Sequence, residues 1–126
     1  MPPTRILILE DERIIAAELK QHLTRWGYAV VAIVGSGMEA IERARELCPD
    51  LLLADIGLPG EMSGIEAAAS IWEECKIPVV YLTAYADDQT LTWVRTPPPV
   101  LIIRKPFDMR QVRSTLDQAL SKPPPA

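Results

Sequence analysis

Five short apolar runs, separated by longer amphipathic stretches, constrain the fold of this chain more than any other feature. Each run is almost continuously apolar rather than alternating, which is typical of a parallel strand covered by helices on both faces. Strands that alternate with helices need right-handed crossovers, so we expect an α/β fold with a doubly wound parallel sheet of the (βα)5 type. The predicted strands are Arg5–Leu9, Ala29–Val34, Leu51–Ala54, Val79–Leu82 and Val100–Ile103.

The stretches between the runs carry signals for helix starts. In three of the amphipathic stretches, a Ser or Asp is followed three residues later by Glu or Gln, the spacing of a capping box or a close variant of it. The first helix lacks this signal, but its apolar spacing predicts that it ends at Gly27. The three capping pairs are Ser36 with Glu39, Ser63 with Glu66, and Asp108 with Gln111.

Composition limits the chain to one compact unit and excludes several classes of protein. The 126 residues are 48% hydrophobic, which is enough for a core, and no apolar run approaches the roughly 20 residues of a membrane span. Thirteen basic against 17 acidic side chains give a net charge of −4, which argues against a direct nucleic-acid surface. We expect one domain over residues 1–122, followed by a Pro-rich tail at 123–126.

The N-terminus and the two cysteines indicate the compartment. Residues 1–5 lead directly into the first predicted strand, so no signal peptide is visible. Cys48 and Cys75 lack C-x-x-C spacing, and reduced thiols are the simplest interpretation. We therefore expect a cytoplasmic protein that does not contact a membrane.

Polar side chains gather where four of the predicted strands end. Glu10-Asp11-Glu12 follows the first strand, and Asp55, Thr83 and Lys105 follow the third, fourth and fifth. In a sheet of order 2-1-3-4-5 these strands are neighbours, so the side chains should meet at one edge. Two carboxylates about 4 Å apart repel by roughly 4 kcal/mol at an effective dielectric near 20, so the cluster needs a cation or must take up protons.

The chemistry of this cluster favours magnesium and phosphoryl transfer. Carboxylate oxygens suit Mg²⁺, and no nearby His or Cys suggests zinc. An ionised aspartate beside a metal ion, faced by a lysine and a hydroxyl, has the parts needed to accept a phosphoryl group.

These stretches resemble the response-regulator receiver domains of two-component signalling, and the resemblance covers nearly the whole chain. It implies the flavodoxin-like, CheY-like fold class, and it implies a switch that catalyses its own phosphorylation and dephosphorylation rather than a turnover enzyme. The donor would be a sensor histidine kinase or a phosphotransfer protein, and the recipient of the signal an unknown downstream protein. The matching stretches are Ile6–Glu12, Leu52–Gly60, Val80–Ala84 and Lys105–Phe107.

The resemblance also implies a role for each site residue. Asp55 would be the phosphoacceptor, and Asp11, Asp55 and the carbonyl of Gly57 would bind Mg²⁺ directly. Glu10 would hold metal-bound water. Thr83 and Lys105 would contact the phosphoryl group, and a cis peptide bond before Pro106 would aim Lys105 inward, for which Lys-Pro is chemically permissive.

Other interpretations of the same residues stay open. Asp11 or Glu12 could simply cap the helix that starts near Arg13. The domain could be a phosphorylation-independent pseudo-receiver that only binds partners. It could also be a Mg²⁺-dependent aspartyl-phosphate phosphatase, although Glu10-Asp11-Glu12 lacks the D-x-D pattern of such enzymes and the chain has no room for a substrate cap.

Two regions depart from the receiver pattern. Ile102 stands where receivers commonly have an aromatic residue that moves with the threonine, and Tyr85 is a candidate substitute, a lid or a plain surface aromatic. Pro97 to Pro99 should end the preceding helix near Arg95, so we expect an atypical output face over Asp87 to Val100.

Four further side chains have both a functional and a structural interpretation. His22 is expected to be solvated on the first helix. Trp72 adjoins Ile71 on a helix, so it either binds a partner or packs at an edge. Ile14 and Ile15 are adjacent in the same way. The resemblance suggests that their face docks the kinase, whereas core packing of at least one is the alternative.

Overall fold

In the computed structural model, residues 2–56, 64–84 and 100–121 are described, and they form a parallel sheet flanked by helices. The sheet order is second, first, third, fourth, fifth, which confirms the predicted fold class. The described elements are β1 (Arg5–Leu9), α1 (Arg13–Arg25), β2 (Ala29–Val34), α2 (Gly37–Leu47), β3 (Leu51–Asp55), α3 (Gly64–Cys75), β4 (Val79–Thr83), β5 (Leu101–Arg104) and α4 (Met109–Ser121).

The central strands are almost fully apolar because alternate residues point to opposite faces and helices cover both. On one face, α2 and α3 pack on Leu7, Leu9, Leu52, Ala54 and Tyr81. On the other, α1 and α4 pack on Ile6, Ile8, Leu51, Leu53, Val80 and Leu82. A single run such as Leu51–Ala54 therefore contributes to two separate core layers.

The helix ends follow the predicted chemistry where they are described. Ser36 caps α2 by accepting a hydrogen bond from the Glu39 backbone N–H at 3.3 Å. Asp108 accepts from the Gln111 N–H at 2.8 Å, just before α4. The chain leaves α1 through Gly27, whose φ of +95° lies in the region that glycine adopts without strain. These capping predictions are confirmed.

Three strands differ from the prediction, by one residue at each of four strand ends. β3 and β4 continue through Asp55 and Thr83, and β5 runs from Leu101 to Arg104 rather than starting at Val100. The reason is strand pairing, since Asp55 is in register with Leu82 and Thr83 with Arg104. Asp55 and Thr83 are thus held in the hydrogen-bonded sheet, not in the loops after it.

Several predictions fall outside the described residues. These are the capping role of Ser63, the helix expected to end near Arg95, and the tail at 123–126. Within the described parts of the chain, no helix is long and apolar enough to cross a membrane.

Candidate functional site

The polar side chains singled out in the sequence lie together at the carboxyl edge of the sheet. Backbone hydrogen bonds extend the parallel pairing past the strand ends and fix these positions. The Glu10 N–H donates to the Val34 carbonyl at 2.9 Å, and the Lys105 N–H donates to the Thr83 carbonyl at 2.8 Å. The site residues are therefore held by the sheet itself, which limits their movement relative to one another.

Three carboxylates converge at this edge. Glu10, Asp11 and Asp55 each place an oxygen within 4.8 Å of the other two. Glu10 and Asp55 are buried, with 2% and 4% of their surfaces exposed, whereas Asp11 is exposed. A set of carboxylate oxygens, open to solvent on one side, suits a hard divalent cation such as Mg²⁺.

Lys105 faces the carboxylates from the end of β5. Its Nζ lies 2.9 Å from Glu10 Oε2 and 3.2 Å from Asp55 Oδ2, and its side chain is only 12% exposed. The peptide bond between Lys105 and Pro106 is cis. Among the residues that the structure describes, one ammonium thus faces a cluster of carboxylates, and the excess of negative charge favours a further cation.

The acidic crowding changes the proton affinity of the site. The pKa of Glu10 is raised to about 7, chiefly because burial disfavours the charged carboxylate and also because the charge of Asp55 is nearby, against the lowering effect of hydrogen bonds from Lys105 and the Glu12 backbone. Burial would lower the pKa of Lys105, but its bond to Glu10 and the charges of Asp55 and Glu10 outweigh that effect and raise it. Glu10 Oε2 is buried, and the Lys105 ammonium lies 2.9 Å from it as its charged neighbour.

Thr83 completes the group of predicted site residues within the described structure. It is 1% exposed and ends β4, the strand between those of Asp55 and Lys105. Gly57 and Tyr85, which were predicted as a metal ligand and a switch candidate, lie outside the described residues. Ile102 is half-buried and packs on the core layer that contains Tyr81, its register partner on β4.

Two positions near the site have structural features that were not predicted from the sequence. Gly64, the first residue of α3, lies against the Asp55 carbonyl so closely that a β-carbon would overlap the oxygen. Glu12 occupies the N-cap position of α1 but makes no side-chain cap hydrogen bond, so the capping interpretation of this residue is wrong. A glycine after a serine at a helix start was the available signal for the first position. For Glu12, the available signal was that a third acidic residue directly follows Glu10 and Asp11.

The remaining singled-out side chains divide between surface and core. Ile14 is 84% exposed, while Ile15 packs partly on the layer beneath α1 and α4. Trp72 is half-buried under the Lys76 ammonium, next to the fully buried Ile71. His22, expected to be solvated, is half-buried with its ring 5.8 Å from that of Trp26. Ile14 is therefore the one of the four that presents a large apolar surface to solvent.

Comparison with known proteins finds similarity to response regulators, both in a family model and in individual relatives. The sequence model of the response regulator receiver domain matches residues 6–117. The chain is 37% identical over 118 residues to the Phyllosphere-induced regulator PhyR of Methylorubrum extorquens, covering 93% of this chain and 43% of that protein. It is 33% identical over 120 residues to the transcriptional regulatory protein PdtaR of Mycobacterium tuberculosis, covering 95% and 58% respectively. The chain thus spans about half the length of these curated relatives.

Solved structures extend the similarity to the whole fold. The solution structure of the REC domain of the PhyR response regulator from Erythrobacter litoralis superposes with a TM-score of 0.86 at 34% identity, over 100% of this chain and 98% of that one. The signal receiver domain of a modulated diguanylate cyclase from Desulfovibrio desulfuricans gives a TM-score of 0.86 at 31% identity, over 94% of both chains.

Proposed function

The chain belongs to the response regulator receiver domain family, and from this membership we propose that it accepts a phosphoryl group on Asp55 from a histidine kinase or a phosphotransfer protein. Receiver domains are signalling switches rather than turnover enzymes. The observation that carries the proposal is the contact of Lys105 Nζ with Asp55 Oδ2 at 3.2 Å beside the carboxylates of Glu10 and Asp11.

Asp55 and Lys105 have different roles in the proposed transfer. An Asp55 carboxylate oxygen attacks phosphorus, the bond from phosphorus to the donor's imidazole nitrogen breaks, and that nitrogen leaves with the electron pair. Lys105 balances negative charge on the phosphoryl oxygens, and its short contact with Asp55 places it for this role. Because Glu10 and Asp55 are buried on the sheet edge, the attacking carboxylate is pre-oriented and shielded from water on that side.

A divalent cation fits the same residues. Asp11, Asp55 and the Gly57 carbonyl would hold Mg²⁺ directly, with Glu10 acting through a bound water. Receiver domains generally bind this ion, and when bound it supplies the positive charge that offsets the charge on the phosphoryl oxygens. Among the described residues, the carboxylates of the site outnumber the ammonium of Lys105, and this excess supports the assignment.

Phosphorylation would act as a local change in charge. A phosphoryl group adds about two negative charges beside Lys105 and the Thr83 hydroxyl, which would move toward it. Thr83 is buried at the end of β4, so its displacement would have to be absorbed by the core around β4 and β5. The switched surface would then bind a downstream partner, or a region outside this chain.

The exposed side chain of Ile14 supports a protein as the phosphodonor. It is 84% exposed and lies three residues after Asp11, on the first turn of α1. An apolar side chain of this size beside an acidic site offers a contact for a docking protein. The donor and the downstream partner are both expected to be proteins, with no direct contact to nucleic acid or membrane.

A direct test measures phosphoryl transfer to the intact chain. The protein is incubated with Mg²⁺ and acetyl phosphate and weighed by mass spectrometry, beside Asp55→Asn and the matched control Asp117→Asn, an exposed aspartate on α4. We expect one added phosphoryl group on wild type and on Asp117→Asn, and none on Asp55→Asn. Equal labelling of Asp55→Asn would overturn the assignment.

The same preparation separates the two alternatives. A pseudo-receiver would take up no phosphoryl group, would show no Mg²⁺ affinity, and would bind its partner equally well as Asp55→Asn. An aspartyl-phosphate phosphatase would steadily release phosphate from small phosphomonoesters. Stoichiometric labelling without such turnover is the outcome that supports the receiver.

A further inference from the structure

Glu12 is an acidic side chain at the site for which the proposed transfer has no role. Its Oε1 lies 3.9 Å from Lys105 Nζ, and its side chain is 61% exposed. The two other acidic partners of Lys105, Glu10 and Asp55, are buried. Glu12 therefore approaches the ammonium from the solvent side of the site.

The Glu12 side chain is not needed to hold the backbone in place. Glu12 is the N-cap residue of α1, but its side chain makes no cap hydrogen bond there. Its backbone N–H is what donates to Glu10 Oε1, at 3.2 Å. A glutamine at this position would keep the backbone contact and remove only the charge.

The position of this charge has a consequence for the phosphodonor. Because Glu10 and Asp55 are buried below Lys105, a phosphoryl group has to reach Asp55 from the solvent side, where Asp11 and Glu12 are exposed. The Glu12 carboxylate repels an anionic donor. It also pairs with the Lys105 ammonium, which the phosphoryl oxygens would otherwise contact. Both effects grow with the negative charge of the donor.

We propose that Glu12 is a specificity-determining residue that selects against strongly anionic small phosphodonors at the entrance to the Asp55 site. This inference rests on the proposed phosphoryl transfer to Asp55. A protein donor that brings a basic side chain opposite Glu12 offsets the repulsion, so the residue favours a docked phosphohistidine over a free acyl phosphate.

The test compares two donors that differ in charge. Acetyl phosphate is mainly a dianion near neutral pH and phosphoramidate mainly a monoanion. Rates of labelling with each, at fixed Mg²⁺, are measured for wild type, Glu12→Gln and Glu12→Lys. The control is Glu18→Gln, which removes the same charge from an exposed position further along α1.

We expect the ratio of the acetyl phosphate rate to the phosphoramidate rate to rise about fivefold in Glu12→Gln, the effect of one unit charge at a few ångströms in a mainly aqueous medium. The ratio should rise further in Glu12→Lys and stay unchanged in Glu18→Gln. Added salt should raise the wild-type rate with acetyl phosphate and have less effect on Glu12→Gln. A purely structural role of Glu12 would change both donor rates alike and leave their ratio unaltered.

The failures are distinguishable. If Asp55 is labelled but the ratio of the acetyl phosphate rate to the phosphoramidate rate is the same in wild type, Glu12→Gln and Glu12→Lys, the inference is overturned. The proposed function is then unaffected. No labelling of wild type by either donor would overturn the proposed function and the inference with it.

Discussion

Gly64 lies directly against the backbone of Asp55, and no β-carbon fits between them. A β-carbon at Gly64 would overlap the Asp55 carbonyl oxygen and would lie 3.2 Å from the Ile56 Cα. Both obstacles are backbone atoms at the end of a central strand, so neither can move aside as a flexible side chain would. The start of α3 is thereby held against the strand that carries the proposed phosphoacceptor.

Replacing Gly64 by alanine should therefore destabilise the fold strongly. We expect Gly64→Ala to lower the free energy of unfolding by about 3 kcal/mol or more, since overpacking against backbone forces the strand or the helix to shift. Urea denaturation measures the loss. Gly35→Ala is the matched control, because its β-carbon would meet only the Asp11 Cα at 3.9 Å, an ordinary contact. Equal stability of the two variants would contradict the close approach.

Mg²⁺ should stabilise the folded protein by an amount that grows with the logarithm of its concentration above the dissociation constant. A ligand at a hundred times its dissociation constant adds about 3 kcal/mol to the free energy of unfolding if it binds only the folded state. We expect this gain for wild type and a much smaller one for Asp11→Asn, measured by urea denaturation with Mg²⁺ or with a chelator. Glu18→Gln should behave as wild type, and an undiminished gain in Asp11→Asn would exclude it as a ligand.

The stability of the metal-free protein should fall as the pH rises through the range set by Glu10. Its pKa is about 7 in the folded state against 4.5 for an unperturbed glutamate, so between these values the folded state binds more protons than the unfolded one. The free energy of unfolding then decreases with pH, by an upper limit of about 3 kcal/mol over the window. The raised pKa of Lys105 acts only at alkaline pH, where its stabilising charge is lost.

Glu10→Gln tests this pH dependence. The substitution removes the titrating group, so the slope of the free energy of unfolding between pH 4.5 and pH 7 should flatten, whereas Glu18→Gln should keep the wild-type slope. The measurement is urea denaturation in chelator at several pH values. A slope in Glu10→Gln as steep as that of wild type would assign the effect to other groups.

Adjacent isoleucines on β5 should differ in their contribution to stability. Ile103 is fully buried beneath α1 and α4, whereas Ile102 is half-buried on the opposite face. Ile103→Ala should cost about 3 kcal/mol, from lost burial and a residual cavity, and Ile102→Ala clearly less. Chemical denaturation of the two variants measures the difference, and a larger loss for Ile102→Ala would contradict the assignment of faces.

Parts of the fold and site were predictable because they depend on local patterns. Continuous apolar runs such as Leu51–Ala54 predict buried parallel strands, and this prediction is confirmed by two core layers that each use alternate residues. The carboxylate, hydroxyl and ammonium groups were each traceable to a strand end. Strand order then brought Glu10, Asp55 and Lys105 within contact distance.

Other features were not predictable, since they depend on which backbones approach each other. The extension of β3 and β4 through Asp55 and Thr83 follows from pairing with neighbouring strands. Glu12 could be interpreted as a helix cap from sequence, but its contact with Lys105 needs β1 and β5 to be placed in one sheet.

Hydrophobic periodicity and capping act over a few residues, so the class of fold, the set of chemical groups and their places near the strand ends follow from the sequence alone. The distances among those groups, the raised pKa of Glu10 and the requirement for glycine at position 64 follow instead from how the elements pack together. These quantities depend on burial and on close approach between residues far apart in the chain. No local pattern in the sequence encodes either one.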